Sequence, residues 1–190
     1  MAKGAILSNR LYFRALPARL GKVLESRRGV PGPFWQGCWS ARSVEAVEVN
    51  GYTIEPGADL QGAVLERSDL TRANLEGADL RRAELTKANL TGANLTGADL
   101  TGARLIKANL EGANLEGAYL EKANLERANL ERVNFAEAKI GGAHLIMANL
   151  IGADLKRADL RFTNLIAARA DENTTWPDGF DPKAAGVIFE

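Results

Sequence analysis

The chain has 190 residues, and its 24 Lys and Arg residues balance 24 Asp and Glu residues, so the formal net charge at pH 7 is zero. This balance gives no reason to expect a general attraction to nucleic acids or acidic membranes. Cys38 is the only cysteine, which excludes an internal disulfide and any metal site built from several cysteines.

Residues 1–42 form a basic N-terminal segment, in which Glu25 is the only acid beside eight Lys and Arg residues. We expect either an arm that is disordered in part or a cap with a short helix near residues 18–28. Protection of Arg27 and Arg28 from proteolysis would favour the cap. The Arg-rich, acid-poor composition also leaves an organelle targeting segment open, although the prolines of this segment fit that interpretation poorly.

Membrane insertion and export are not expected from the sequence. No stretch approaches the roughly 18 apolar residues of a membrane-spanning helix, and no apolar run near the start has the length of a signal-peptide core. A chain with a single cysteine is most simply placed in a reducing compartment. We therefore predict a cytoplasmic location.

After a lead-in over residues 43–57, a pattern with a period of five runs from residue 56 to residue 165. Stepping by five from Leu60 to Leu165 gives 22 positions, of which 20 are Leu; the exceptions are Phe135 and Ile140. Two residues earlier, 19 of the 22 positions are Ala, and one residue earlier, 16 are Asn or Asp. A regular repeat of this kind determines the fold of the whole segment.

A period of five fits neither a helix nor one long strand. Successive leucines would turn by roughly 140° in an α-helix, so that no apolar stripe could form. In one long strand they would alternate between the two faces. The chain must therefore bend after every repeat, with the Leu and Ala columns facing a shared interior and the Asn or Asp column facing out.

The two residues after each Leu must form the corner. The second of them is often Gly, which accepts positive φ at little cost, and elsewhere it is mostly Lys or Arg. We expect the Lys and Arg corners to use turns without positive φ. Asn and Asp favour such corners because their side chains bond to nearby backbone amides, so we interpret them as structural. The Gly corners lie at Gly62, Gly77, Gly92, Gly97, Gly102, Gly112, Gly117, Gly142 and Gly152.

The repeats, such as Ala93-Asn94-Leu95-Thr96-Gly97 followed by Ala98-Asp99-Leu100-Thr101-Gly102, resemble those of the pentapeptide repeat family. The resemblance implies an all-β fold, a right-handed quadrilateral β-helix, with four repeats in each coil. About five and a half coils would then form a rod on the order of 26 Å long. N- and C-terminal segments would cap it.

Residues 166–190 are predicted to form the C-terminal cap. The stretch Trp176-Pro177-Asp178-Gly179-Phe180-Asp181-Pro182 resembles tails of bacterial, notably cyanobacterial, family members, and residues 50–57 resemble a common lead-in to the first repeat. Family members often pair end to end through their terminal coil. The resemblance therefore implies a possible homodimer.

Catalysis, cofactors and metals are not expected. His144, the only histidine, replaces Asn in the outward column and is interpreted as a solvated surface residue, because a catalytic base needs positioned partners. The sequence has no phosphate-binding loop or nucleophile elbow. A rod filled with Leu also offers no deep pocket in which pKa values could be shifted.

Four repeats per coil would place residues 20 apart above one another. One column then contains Arg67, Lys87, Lys107 and Arg127, which we take as a candidate interaction stripe. The alternative is that these side chains extend into water, with Glu66 and Glu126 near enough to balance them. The Asp column 59, 79 and 99 and the Asn column 74, 94, 114 and 134 are interpreted as turn-forming ladders.

Three functions remain as hypotheses. The first is a rigid scaffold that binds another protein. The second, implied by the resemblance, is mimicry of DNA towards a type II topoisomerase such as gyrase; residues 56–165 contain 15 acids and 14 bases, which argues against it. The third is nucleic-acid binding through the basic arm, for which the repeats offer no aromatic stacking platform.

Overall fold

The structure is a computed structural model that describes residues 47–190. The predicted arm or cap of residues 1–42, with its Arg27-Arg28 site and Cys38, lies outside the described residues. The described residues include four short strands, β1 (Val47–Val49), β2 (Tyr52–Ile54), β3 (Arg169–Ala170) and β4 (Ile188–Phe189). Between β2 and β3 the chain forms single-residue parallel bridges. Residues 47–190 contain no helix with the length and apolar character needed to span a membrane.

The bridges show how the repeats are stacked. They join residues 20 positions apart, beginning with Asp59 and Asp79 and continuing to Asn149 and Arg169. Four five-residue repeats therefore complete one coil. The predicted fold class, a right-handed quadrilateral β-helix, is confirmed.

The interior consists of the Leu and Ala columns. Leu80, Leu110 and Leu145 are completely buried, and Phe135 is the largest side chain enclosed in the core. Each fully buried Leu stabilises the fold by about 1.5–3 kcal/mol before the ordering entropy is subtracted. The leucines therefore converge on one interior, as their spacing predicts.

The expectation about Lys and Arg corners is wrong. Lys87 has φ 61° and Arg127 has φ 56°, close to the 64° of Gly97. The ladder imposes the same geometry on all corners: the residue at this position donates its N–H to the next coil, as Lys87 does to the Ile106 carbonyl at 2.9 Å. A left-handed residue other than Gly costs roughly 1–2 kcal/mol, and the surrounding hydrogen bonds hold it in place.

The structural interpretation of the Asn and Asp column is confirmed. The side chain of each Asn and Asp in this column accepts a hydrogen bond from the backbone N–H two residues later, for example Asn124 from Glu126 at 3.0 Å and Asp99 from Thr101 at 2.9 Å. These bonds form turns that resemble backbone turns. The complete set of accepting residues is Asp59, Asp69, Asn74, Asp79, Asn89, Asn94, Asp99, Asn109, Asn114, Asn124, Asn129, Asn134, Asn149, Asp154, Asp159 and Asn164.

An antiparallel hairpin of β1 and β2 adjoins the first coil. Its turn uses Asn50 (φ 52°) and Gly51 (φ 82°), as two-residue hairpin turns require. The Val64 N–H donates to the Tyr52 hydroxyl at 3.2 Å, and Asn50 Nδ2 donates to Ser68 Oγ at 2.9 Å. Polar groups of the hairpin thus contact the first coil at the positions where each later coil contacts the coil before it.

The last coil contains one extra residue. Asp154 pairs with Thr175, 21 positions later, whereas the preceding bridges span 20. Beyond it, Trp176 and Phe180 stack with ring centroids 5.4 Å apart and are partly buried against the core. The chain then returns to the rod as β4, which pairs in parallel with β3.

Candidate interaction surface

The candidate residues Arg67, Lys87, Lys107 and Arg127 occupy one corner in four consecutive coils, and we call them the basic edge. Each occupies the left-handed position of its turn. The backbone N–H of each donates to the next coil; the distance is 3.0 Å from Arg67 to the Thr86 carbonyl and 2.9 Å from Lys107 to the Glu126 carbonyl. Coil stacking spaces the residues by roughly 4.8 Å, so the structure brings all four together in a row.

The charges of the basic edge are largely free within residues 47–190. All four side chains are exposed. Arg127 lies 3.8 Å from the Glu126 carboxylate, with side-chain exposures of 51% and 36%. No carboxylate of the described residues comes within 4.0 Å of the other three cationic groups. The predicted balancing role of Glu66 is therefore not seen, and that of Glu126 is limited to one weak, exposed pair.

The basic edge differs from two other corners of the rod. There, a long cationic side chain lies over a glycine of the next coil: Cγ of Arg72 is 3.6 Å from the point where a Cβ on Gly92 would stand, and at the other corner Cγ of Arg82 is 3.8 Å from that point on Gly102. The basic edge has no glycine at this position in any of its coils. Each of its first three residues is followed one coil later by another Lys or Arg instead.

The same corner continues into an apolar surface, which we call the apolar end. It consists of Met147, which follows Arg127 by one coil, and Ile166, whose carbonyl accepts a hydrogen bond from the Met147 N–H at 3.1 Å. The two side chains are 49% and 60% exposed. Sequence reasoning missed these residues, although a further step of 20 from Arg127 leads to Met147.

Several charges elsewhere on the rod form local ion pairs. Arg81 pairs with Asp79, with Nε 2.8 Å from Oδ1, and Arg161 pairs with Asp159 in the same way. The hydrogen bonds from the Arg161 side chain, and next from its backbone N–H, lower the pKa of Asp159 from 3.8 to about 2. Asp159 therefore stays ionised and bound to its arginine at neutral pH.

The Asn columns form self-contained ladders. Asn129 donates to Asn109 at 3.0 Å, and Asn149 donates to Asn129 at 3.2 Å. Asn134 donates to Asn114 at 2.9 Å on the neighbouring face. Because these amides already bond to one another, we interpret these faces as structural rather than as ligand sites.

Two shallow hollows lie at the ends of the rod. One of about 190 Å³ lies beneath the hairpin and is lined by residues that include Val49, Ile54 and Leu70. The other, of about 380 Å³, lies between Leu160 and the Phe180 segment. His144 is exposed. In the part of the chain that the structure describes, no cluster of His, Cys, Asp and Glu could hold a metal ion.

A protein-family model described as pentapeptide repeats matches the chain in 8 copies. The matched segments are residues 57–86, 83–121, 98–136, 113–146 and 134–169, which together include the basic edge and most of the rod. No curated protein sequence matches the chain significantly.

Several solved structures are similar to this chain. Rfr23, a pentapeptide repeat protein of the cyanobacterium Cyanothece 51142, is 43% identical over 49% of this chain and 63% of its own, with a TM-score of 0.49. HetL of Nostoc sp. strain PCC 7120, described as involved in heterocyst differentiation regulation, is 33% identical over 65% of this chain and 70% of its own, with a TM-score of 0.36. A pentapeptide repeat protein of the Arabidopsis thaliana thylakoid lumen is 25% identical over 58% and 66%, with a TM-score of 0.31. The chain spans less than two thirds of the length of Rfr23.

Proposed function

Because the chain belongs to the pentapeptide repeat family, we propose that it is a non-enzymatic scaffold that binds another protein through its outer wall. The observation that carries this proposal is the continuous hydrogen-bond ladder, which fixes outward side chains in columns before any partner arrives. Little ordering entropy is then lost on binding.

Capture from cells of the native organism tests the scaffold. The purified full chain should carry a photo-crosslinking residue in place of Asn124 and be crosslinked to its partner in the lysate. Mass spectrometry then identifies the crosslinked products. We expect one protein partner, crosslinked also from other outward positions of neighbouring coils. Failure to recover a reproducible partner, or crosslinks confined to residues 1–46, would contradict the proposal.

Neither alternative function gains support from the charges of the rod. The pairing of Arg81 with Asp79 and of Arg161 with Asp159 removes the uniform negative surface that DNA mimicry requires. The basic arm lies outside the described residues, and nucleic-acid binding through it remains the less favoured hypothesis.

We propose as well that two copies pair through the C-terminal coil. The backbone N–H groups of Leu160 and Leu165 donate to no carbonyl within residues 47–190, so the ladder ends at these two residues. Phe162, beside them, is 95% exposed. Light scattering should give twice the chain mass for the wild type and the single-chain mass for Phe162→Ser; a monomeric wild type would contradict the proposal.

For location, we propose the cytoplasm, on the basis of the single cysteine of the sequence and its preference for a reducing compartment. A fluorescent fusion followed by fractionation tests this. Recovery in a lumenal or periplasmic fraction would contradict it.

A further inference from the structure

We propose that the corner formed by the basic edge and the apolar end is a linear binding site for an extended protein segment that carries carboxylates along one part and apolar side chains along the other. This inference rests on the scaffold function and specifies the chemistry of its partner. The site runs along the rod axis from Arg67 to Ile166.

The dimensions of the corner suit a short extended segment. Four steps of roughly 4.8 Å separate Arg67 from Met147, about 19 Å in all. A strand rises about 3.3 Å per residue, so about six residues of a partner would span this length. The long stems of Lys87 and Lys107 allow their ammonium groups to reach carboxylates that do not share the pitch of the coil.

The change from charge to apolar surface gives the site a direction. Arg127 is followed, one coil later, by Met147, and Ile166 lies directly beside Met147 through its backbone hydrogen bond. The two residues, 49% and 60% exposed, place apolar surface at the C-terminal end of the corner. A partner must therefore place carboxylates against the basic edge and apolar side chains against the apolar end. A uniformly charged polymer cannot do this.

Among residues 47–190, this is the one corner that has no glycine at the left-handed position in any coil. Every residue of the basic edge has a φ between 56° and 61°, a conformation that costs roughly 1–2 kcal/mol for a residue other than Gly. Glycine would remove that cost, and two other corners place a glycine beneath each long side chain. This corner instead keeps a long cationic side chain in four consecutive coils, and an exposed row of cations is available for binding.

The neighbouring residues favour a protein segment over a nucleic acid. Glu66 and Glu126 occupy the positions just before Arg67 and Arg127 and would repel the phosphates that approach the two ends of the basic edge. No aromatic residue occurs in this corner from Glu66 to Ala167 to stack a base. A protein segment can instead place its carboxylates between these acids and set apolar side chains on Met147.

Fluorescence anisotropy with the full chain tests the site. The probe is a fluorescein-labelled synthetic peptide in which Glu alternates with Ser over one half and Leu alternates with Ser over the other. The control probes are the same peptide with Lys in place of Glu and a single-stranded oligothymidine of similar length. We expect binding of the acidic peptide only, weakened severalfold between about 50 mM and about 500 mM salt, as screening of exposed charges predicts.

Matched variants locate the binding. Lys87→Gln with Lys107→Gln should weaken binding about threefold to tenfold, as for the loss of two exposed ion pairs. Arg82→Gln with Lys122→Gln removes two cations from the same turn position at another corner. This variant should change the affinity for the peptide less than twofold. Met147→Ser with Ile166→Ser should also weaken binding, because the apolar half of the peptide loses its contact.

Three results would overturn the site: equal weakening by the two cationic pairs, tighter binding of the oligothymidine than of the peptide, or no binding of the acidic peptide to the wild type. The lysate experiment keeps this proposal separate from the scaffold function. A partner captured equally well by wild type and by the Lys87→Gln, Lys107→Gln variant would leave the scaffold in place and exclude this corner.

Discussion

Asp171 Oδ1 accepts a 2.8 Å hydrogen bond from the backbone N–H of Gly152. One coil earlier, the equivalent N–H of Arg132 donates to a backbone carbonyl, that of Ile151, at 2.9 Å. The extra residue of the last coil removes the regular acceptor, and a carboxylate takes its place. Thr174, which is buried, donates to the same Oδ1 at 2.8 Å. A side chain therefore completes the ladder where the repeat ends.

This carboxylate should make the stability of the last coil depend on pH. Hydrogen bonds from the Asn173 side chain first, and then from the Gly152 N–H and Thr174, lower the pKa of Asp171 from 3.8 to about 2. Because the folded pKa is depressed, its contribution is complete above the unfolded value and is lost as pH falls from about 4 through about 2. We expect Asp171→Asn to lower the thermal midpoint at pH 7 and the difference from wild type to close near pH 2.

The control for this experiment is Asp178→Asn, because the Asp178 carboxylate is exposed and makes no hydrogen bond within residues 47–190. It should leave the midpoint unchanged at both pH values. A deficit of Asp171→Asn that persisted at pH 2 would contradict the assigned role of the carboxylate.

Leu110→Ala should destabilise the rod by about 2–5 kcal/mol, because the side chain is completely buried in the middle of the stack and the neighbouring coils cannot collapse into the cavity. Urea unfolding monitored by circular dichroism measures this change. Thr101→Ala, at a partly exposed corner, should stay within about 0.5 kcal/mol of wild type. Equal effects of the two changes would argue against the inward register of Leu110.

Tyr52→Phe should reduce stability by about 0.5–1.5 kcal/mol, because the Val64 N–H loses the hydroxyl to which it donates. The matched control is Tyr119→Phe, whose hydroxyl makes no hydrogen bond within residues 47–190, while its ring keeps the contact with Lys139 at 4.3 Å. Thermal melts of both variants give the comparison. No difference between them would mean that the hairpin bond contributes nothing.

Lys107→Gly should leave stability unchanged or raise it by up to about 1 kcal/mol. Glycine removes the cost of the left-handed backbone, which should raise the free energy of unfolding by roughly 1–2 kcal/mol. Glycine also gives the unfolded chain more freedom, which should lower the free energy of unfolding by roughly 0.5–1 kcal/mol. Thr101→Gly, which relieves no left-handed residue, should lose about 0.5–1 kcal/mol. If denaturant titrations showed that Lys107→Gly loses as much stability as Thr101→Gly, the Lys107 stem would be required for packing.

The purified chain should not inhibit DNA supercoiling by gyrase, even in large excess. The reason is that the repeats carry nearly equal numbers of acids and bases over residues 56–165, and several acids are paired with arginine. A gel assay of relaxed plasmid, with an established gyrase inhibitor as positive control, measures this. Inhibition at stoichiometric concentrations would restore DNA mimicry as a function.

The repeat alone predicts the interior and the outward Asn and Asp column, because both follow from a period of five. The stacking of Arg67 on Lys87 also needs four repeats per coil, which the family resemblance implies. The repeat does not predict the left-handed backbone at Lys87. Residue preference alone favours another turn there, and only the ladder enforces this one. Met147 and Ile166 were missed because a search for charge stops at Arg127. The roles of Tyr52 and Asp171 depend on contacts between a terminal segment and the rod, which no periodicity encodes.

The bridges between residues 20 apart give this molecule a modular length. Duplicating or deleting one block of 20 residues would lengthen or shorten the rod and leave every surviving column vertical. Deleting a single block of five between Arg127 and Met147 would instead turn all later residues by a quarter of a revolution, carrying Met147 to a different corner. Changes in whole coils are therefore the tolerated unit of evolutionary growth for such a protein, and they offer a way to adjust its reach without redesigning its surface.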